Sequence, residues 1–157
     1  MRVDYAFVAE AADAQGGLFY VTRGGADIYV LPREFPRPLR LGAISFVVRV
    51  VGETGDVGQS RPIAVTVVDG QGEPIGFRQE GEVRFDRHPI EPDGATASVM
   101  AFRLFGFPVP EFGAYVFEVM TGDERLAQVP FWVVPPDAVP QGMTGVAAPQ
   151  EGEPGYL

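Results

Sequence analysis

The chain's one histidine lies among carboxylates, in Asp86-Arg87-His88-Pro89-Ile90-Glu91-Pro92-Asp93-Gly94. Imidazole and carboxylate oxygens together suit a divalent ion such as zinc or manganese, and a metal-assisted hydrolase needs such a set with an open position. Pro89 and Pro92 restrict how Asp86, His88, Glu91 and Asp93 can converge. A solvated turn ended by Asp-Gly explains the same residues, so no metal site is expected. A second set, Glu53, Asp56, Asp69, Glu73, Asp86 and Asp93, falls in the loops between strands. Calcium takes about six to eight oxygens, and loops of a sandwich can gather at one end. No D-x-D-x-D-G loop is present, and surface charge is the simpler reading.

Nucleophilic chemistry has little to draw on. Serine occurs at positions 45, 60 and 98, none of them within G-x-S-x-G, and His88 is the sole imidazole to serve as base. Glycoside hydrolysis needs two carboxyl groups roughly 5–10 Å apart. With 21 acidic residues, the sequence cannot single out a pair. The Gly52, Gly55, Gly58 spacing encloses Glu53 and Asp56, which repel phosphate. No catalytic residue and no cofactor is therefore expected.

Binding is better supplied. Phe105-Gly106-Phe107-Pro108-Val109-Pro110-Glu111-Phe112 reads as a loop of aromatics and prolines, and Leu31-Pro32-Arg33-Glu34-Phe35-Pro36-Arg37-Pro38 as a second. Exposed aromatic and arginine side chains carry much of the energy of protein interfaces, and rigid prolines lower the cost of ordering. Phe35, Arg37, Phe105, Phe107 and Phe112 are the candidate partner-binding residues. The competing reading is that these rings plug the ends of the fold.

The composition sets the frame for all of this. There are 157 residues, enough for one domain that buries roughly 70% of its unfolded surface. The absence of cysteine excludes disulfides, thiolate zinc sites and cysteine nucleophiles. The absence of lysine excludes Schiff-base chemistry and a Walker phosphate loop. Twelve arginines against 21 acids give a net charge of −9, opposite to the basic surplus of a nucleic-acid binder. Asp4 and Glu10 interrupt the start of the chain, so no secretory signal is read there and a cytoplasmic location is expected. The most apolar stretch, Leu41 to Val51, is too short for a bilayer and contains Arg49, so no membrane contact is expected.

Twenty glycines and fifteen prolines punctuate the chain at strand-like intervals. Strands are expected at Arg2–Ala9, Leu18–Thr22, Ile28–Leu31, Leu39–Val51, Arg61–Val68, Pro74–Phe85 with a bulge at Gly81, Ala95–Phe105, Ala114–Thr121 and Glu124–Val134. In the first of them Val3, Tyr5 and Phe7 share one side. Glu10–Gln15 is the best helix candidate. Asp69-Gly70-Gln71-Gly72 and Gly122-Asp123 mark hairpins. These signals define an all-β, immunoglobulin-like antiparallel β-sandwich of about eight strands, without disulfide. The domain spans 1–134, and the Pro/Gly-rich segment 135–157 reads as a disordered tail. Glu111-Phe112-Gly113-Ala114-Tyr115 has the form of a tyrosine corner, in which a tyrosine hydroxyl returns to backbone just upstream.

Three strands break the alternation of a half-buried sheet. Leu39–Val51 carries Ile44, Phe46, Val48 and Val50 on one face and Leu39, Leu41, Ala43, Val47 and Val51 on the other. Val129–Val134 and Ala95–Phe105 are also apolar on both faces. An outer face of that kind calls for a cover, and a homodimer is expected, with the first segments of the chain or the tail as other possible covers.

The runs V-D-Y-A-F-V-A-E-A-A, G-L-F-Y-V-T-R-G-G-A-D and G-A-Y-V-F-E-V, followed by R-L-A-Q-V-P-F-W-V, resemble a widespread family of small bacterial single-domain β-sandwich proteins of unknown function. The resemblance covers roughly 1–134. It implies the sandwich fold and a bacterial source and brings no catalytic residues. The sequence thus points to a non-enzymatic binding or scaffold module with a protein partner. The alternative is a metal- or calcium-dependent protein that uses the acidic loops.

Overall fold

The computed structural model describes residues 1–91, 95–139 and 146–147. Among these, ten strands form: β1 (Arg2–Gln15), β2 (Leu18–Gly24), β3 (Ile28–Val30), β4 (Leu39–Val51), β5 (Ser60–Asp69), β6 (Pro74–Arg84), β7 (Ala97–Val109), β8 (Gly113–Thr121), β9 (Glu124–Val134) and β10 (Val146–Ala147). Two sheets result, a four-stranded one in the order β2-β1-β4-β7 and a six-stranded one in the order β10-β3-β9-β8-β5-β6. Pairing is antiparallel except at one edge, where β3 runs parallel to β9 and to β10. The inner faces share one core, and Phe46 of β4 stacks on Phe117 of β8 with centroids 4.6 Å apart and planes 9° from parallel. Phe117 also meets Phe131 of β9 at 5.2 Å, and Phe46 meets Phe102 of β7 at 6.3 Å. The tyrosine corner forms as expected: the Tyr115 hydroxyl donates to the Glu111 carbonyl (2.7 Å) and accepts from the Glu111 N–H (3.3 Å).

Several local expectations change. Glu10–Gln15 is the second half of β1, not a helix. It pairs with β2 from Ala11–Thr22 to Gln15–Leu18, across a turn in which Gly16 and Gly17 both hold positive φ. A paired strand partner outweighs the weak helix preference of its alanines. The irregularity expected at Gly81 lies instead where Thr66 pairs with Arg78 and Val68 with Pro74, beside Gly76 at φ +86. A register shift at Asp4 separates Val3, which packs on the main core, from Tyr5 and Phe7 on the other side. The expected loop Gly106–Gly113 is strand as far as Val109, paired to β4 through Leu41–Phe107 and Leu39–Val109.

That pairing corrects the reading of β4. Gly42 falls opposite Gly106, between the Leu41–Phe107 and Ala43–Phe105 pairs, and Gly106 has φ +58, a conformation that costs glycine least. Before this point the odd residues Leu39 and Leu41 face the core; after it the even residues Ile44, Phe46, Val48 and Val50 do. β7 reverses alongside, with Met100, Phe102 and Leu104 inward above the glycine and Phe107 and Val109 inward below it. Leu39 and Leu41 therefore belong to the core and leave no apolar outer face to explain.

Val47 does point outward, and the chain covers it. Past Ala9, where pairing with β4 ends, the β1–β2 hairpin folds across the outer side of β4 toward β7. Ala12 N–H donates to Ser45 Oγ (3.1 Å), Arg103 pairs with Asp13 (3.5 Å), and Ala9, Ala12, Phe7, Phe19 and Ala101 close over a fully buried Val47. Of the residues that motivated a dimer, Val47 is covered within one chain, while Phe105 and Trp132 remain exposed.

At one end of the sandwich Asp56 ties three segments together. Its Oδ2 accepts from the Met1 ammonium (2.7 Å) and the Glu53 N–H (2.9 Å), and its Oδ1 accepts from Arg61 Nε (2.6 Å). The hydrogen bond from the terminal ammonium, then that from Glu53, hold its pKa down at about 2. An unfolded aspartate titrates near ~3.9. The stabilisation is therefore complete above about pH 4 and is lost as pH falls toward 2. Asp56→Asn should lower stability by about 2 kcal/mol at pH 7 in denaturant unfolding, and by progressively less between pH 4 and 2. A constant difference across that range would contradict this account.

Of the segment expected as tail, Pro136–Ala138 forms a 3-10 turn and Val146–Ala147 the short β10, while 140–145 and 148–157 lie outside the described residues. Arg33 grips Asp137 with both Nε (3.0 Å) and Nη2 (2.6 Å), but the two side chains are 63% and 64% exposed. Exposed pairs of this kind contribute little to stability. Deleting 136–157 should therefore lower Tm by no more than about 3 °C in a calorimetric scan.

Candidate functional site

The five residues expected to bind a partner separate in the structure. Arg37 lies over the Phe112 ring, 4.7 Å from its centroid, at the end of the sandwich that holds the tyrosine corner. Phe35 and Phe112 are half-buried against the main core. Phe107 is buried, with its ring edge-on to Phe77 at 6.0 Å, and offers no surface. Phe105 is 75% exposed on the outer side of β7. At this end a cleft of about 180 Å³ lies between Asp69, Gln71, Glu111, Phe112 and Tyr115. Burial raises the pKa of Tyr115, and its hydroxyl is held by Glu111, so the group that faces the cleft is structural.

The acidic residues do not gather. Glu53 and Asp56 precede β5, and Asp69 and Glu73 follow it. Ten residues of strand at about 3.3 Å each put the two groups roughly 30 Å apart. Asp56 is taken by its ion pairs, and Asp69 Oδ1 accepts from the N–H groups of Gln71 and Glu73 (2.9 Å each) to close the hairpin. Asp93 lies outside the described residues. Among the described residues, no three His, Asp or Glu side chains come together to hold a metal ion.

His88 borders a cleft of about 470 Å³ between the tip of the hairpin at Gly17 and Arg2, Arg49, Glu91 and Val99. Its Nδ1 accepts from the N–H groups of Ile90 (3.3 Å) and Glu91 (3.0 Å). In the neutral ring the proton is therefore on Nε2, the reverse of the tautomer in which a triad histidine works as base. Arg49 and Arg2 both pair with Asp4, and Ser45 is buried beneath the hairpin. The cleft offers charge and hydrogen bonding but no nucleophile poised beside a base.

What the structure does present is apolar surface. Among the described residues, five of the seven exposed large apolar side chains (Tyr5, Leu18, Tyr20, Val21 and Phe105) belong to the strands of the four-stranded sheet. Leu18 and Tyr20, 63% and 59% exposed, crown the hairpin, while Phe19 turns inward to meet Tyr5 and Phe7 at 5.9 and 6.5 Å. The sequence signal for this crest was a short strand apolar on both faces, Leu18 to Val21. It went unread because the hairpin was not foreseen to lie over β4.

Ser45 is the tie that places the crest. Ser45→Ala would strand the Ala12 N–H, at a cost of about 1–2 kcal/mol. Amide exchange at Ala12 should quicken while exchange in β8 stays slow; equal acceleration in both would show that no separate flap exists.

No helix among the described residues is long and apolar enough to cross a membrane. No curated protein matches the chain. Among solved structures, a β-glucosidase from Listeria innocua in complex with glucose aligns at 15% identity over 64% of this chain and 15% of that one, with a TM-score of 0.36. A likeness at that score bears on neither fold nor activity. The model of a family of unknown function, DUF6941, matches residues 4–134, which take in the strands from β1 to β9. The chain belongs to that family.

Proposed function

We propose that this domain is a non-enzymatic protein-binding module that works through the outer side of its four-stranded sheet. The observation that carries this is the crest: Leu18 and Tyr20 stand exposed on the far face of a hairpin that the domain itself holds down over Val47. Exposed apolar side chains grouped on one element mark interaction surfaces, and aromatic residues are favoured at their centres. The clefts support this reading from the other side. Several polar groups about two of them are engaged, Arg49 with Asp4, His88 Nδ1 with backbone and Tyr115 with Glu111. A site for substrate chemistry would leave converging groups free.

A photo-crosslinking residue in place of Phe105, beside the crest, tests the proposal in the native cell. The parent should give a discrete crosslinked species, and the double variant Leu18→Ser, Tyr20→Ser should reduce it by about tenfold without changing Tm. Crosslinks that survive the double variant would place the binding elsewhere. Light scattering then identifies the partner's nature: a 16.9 kDa species at micromolar concentration means a different protein, and twice that mass means the homodimer.

A further inference from the structure

The two ends of the four-stranded sheet differ from the free edge of its neighbour in a way that bears on partner choice. β6, the edge of the six-stranded sheet, carries Arg78, Glu80, Glu82 and Arg84, the charges by which edge strands commonly discourage pairing. β7, the edge facing it across the sandwich, has thirteen residues and one charge, Arg103. Among the described residues its one strand partner is β4. Met100, Phe102 and Leu104 point into the sandwich, yet all three remain partly exposed, as do Ile75 and Phe77 of β6. Among the described residues the four-stranded sheet stops at β7, and core-facing side chains line an open strand position beside it.

Charge indicates what fits there. In a chain of net charge −9, the strands of this sheet hold five arginines against three carboxylates. All three carboxylates are already paired: Asp4 with Arg2 and Arg49, Glu10 with Arg23, and Asp13 with Arg103. Arg40 meets no carboxylate among the described residues. Its Nη1 reaches β7 and donates to the Gly106 carbonyl (3.2 Å). We infer that β7 receives an added strand from another protein, an extended acidic segment with apolar residues at every second position. The apolar side chains cover Met100, Phe102 and Leu104, the acidic ones face the Arg40 and Arg103 side, and main-chain hydrogen bonds to the free edge supply sequence-independent affinity. A second copy of this chain fits less well, because it brings the same arginine excess to the contact.

This rests on the reading of the domain as a protein-binding module, and it is tested separately from the crest. The probe is the end-capped peptide (Glu-Val)4-Glu, titrated into the isotope-labelled full chain by amide NMR, with (Lys-Val)4-Lys as control. Expected are shifts and slowed exchange confined to the amides of residues 98–106, and about tenfold tighter binding of the acidic peptide at low salt. Arg40→Glu, a change at an exposed residue, should abolish that preference while Tm is retained. No binding at millimolar peptide, equal affinity for the two peptides, or shifts located at Leu18–Val21 would overturn the inference. So would β7 amides already protected in a dimer before peptide is added. If the peptide fails while the Leu18, Tyr20 double variant still loses its crosslink, the binding role stands and only the β7 assignment falls.

Discussion

The contact between Phe46 and Phe117 is the joint on which the rest of the molecule depends. Without disulfides, and with no helix packed between layers among the described residues, the two sheets are held by apolar burial. The largest inward side chains meet at this stack. Each ring buries an area worth about 1.5–3 kcal/mol, and offset or parallel aromatic contacts add to that. Phe102, Phe77 and Phe131 gather around it, so one face-to-face pair organises strands from both sheets. The tyrosine corner closes the same column: Tyr115 stacks on Phe131 at 5.5 Å while its hydroxyl ties back to Glu111.

Keeping that column filled along the whole of β4 forces a further feature. Alternation along a strand shifts parity only where the backbone is irregular. β4 and β7 change parity together at Gly42 and Gly106, which lets Leu39, Leu41, Phe107 and Val109 extend the core below the stack. The outward set that remains, around Val47, is small enough for a hairpin to cover. The hairpin can do so because β1 gives up β4 after Ala9 and finds β2 instead. Covering Val47 has a consequence of its own: the far side of the hairpin leaves Leu18 and Tyr20 exposed among the described residues.

The polar groups show the same economy of position. Two of the acidic candidates for chemistry, Asp56 and Asp69, are structural once placed. Asp56 anchors the chain start and Arg61, Asp69 closes a hairpin, and Asp4 neutralises two arginines. His88 spends a ring nitrogen on the backbone of its own turn. A buried or turn-bound polar group needs its hydrogen bonds satisfied, and in a small sandwich the nearest loops supply them.

How much of this was legible beforehand follows from the range of each interaction. The limits of β4 and β9, the Asp69 and Gly122 hairpins and the tyrosine corner rest on patterns a few residues long, and the sequence alone determined them. Composition likewise determined that no disulfide or lysine chemistry is available. The aromatics at 105, 107 and 112 were legible as a group but not as individuals. Whether a strand ends at Phe105 or runs on to Val109 depends on Leu39 and Leu41, more than sixty residues away. Glu10–Gln15 looked locally helical and became strand because β2 was there to pair with it. The parity change, the hairpin over Val47 and the open position beside β7 were decided by the tertiary structure. Each arises from which strands lie next to one another, and a local pattern carries no information about a neighbour brought in from a distant part of the chain.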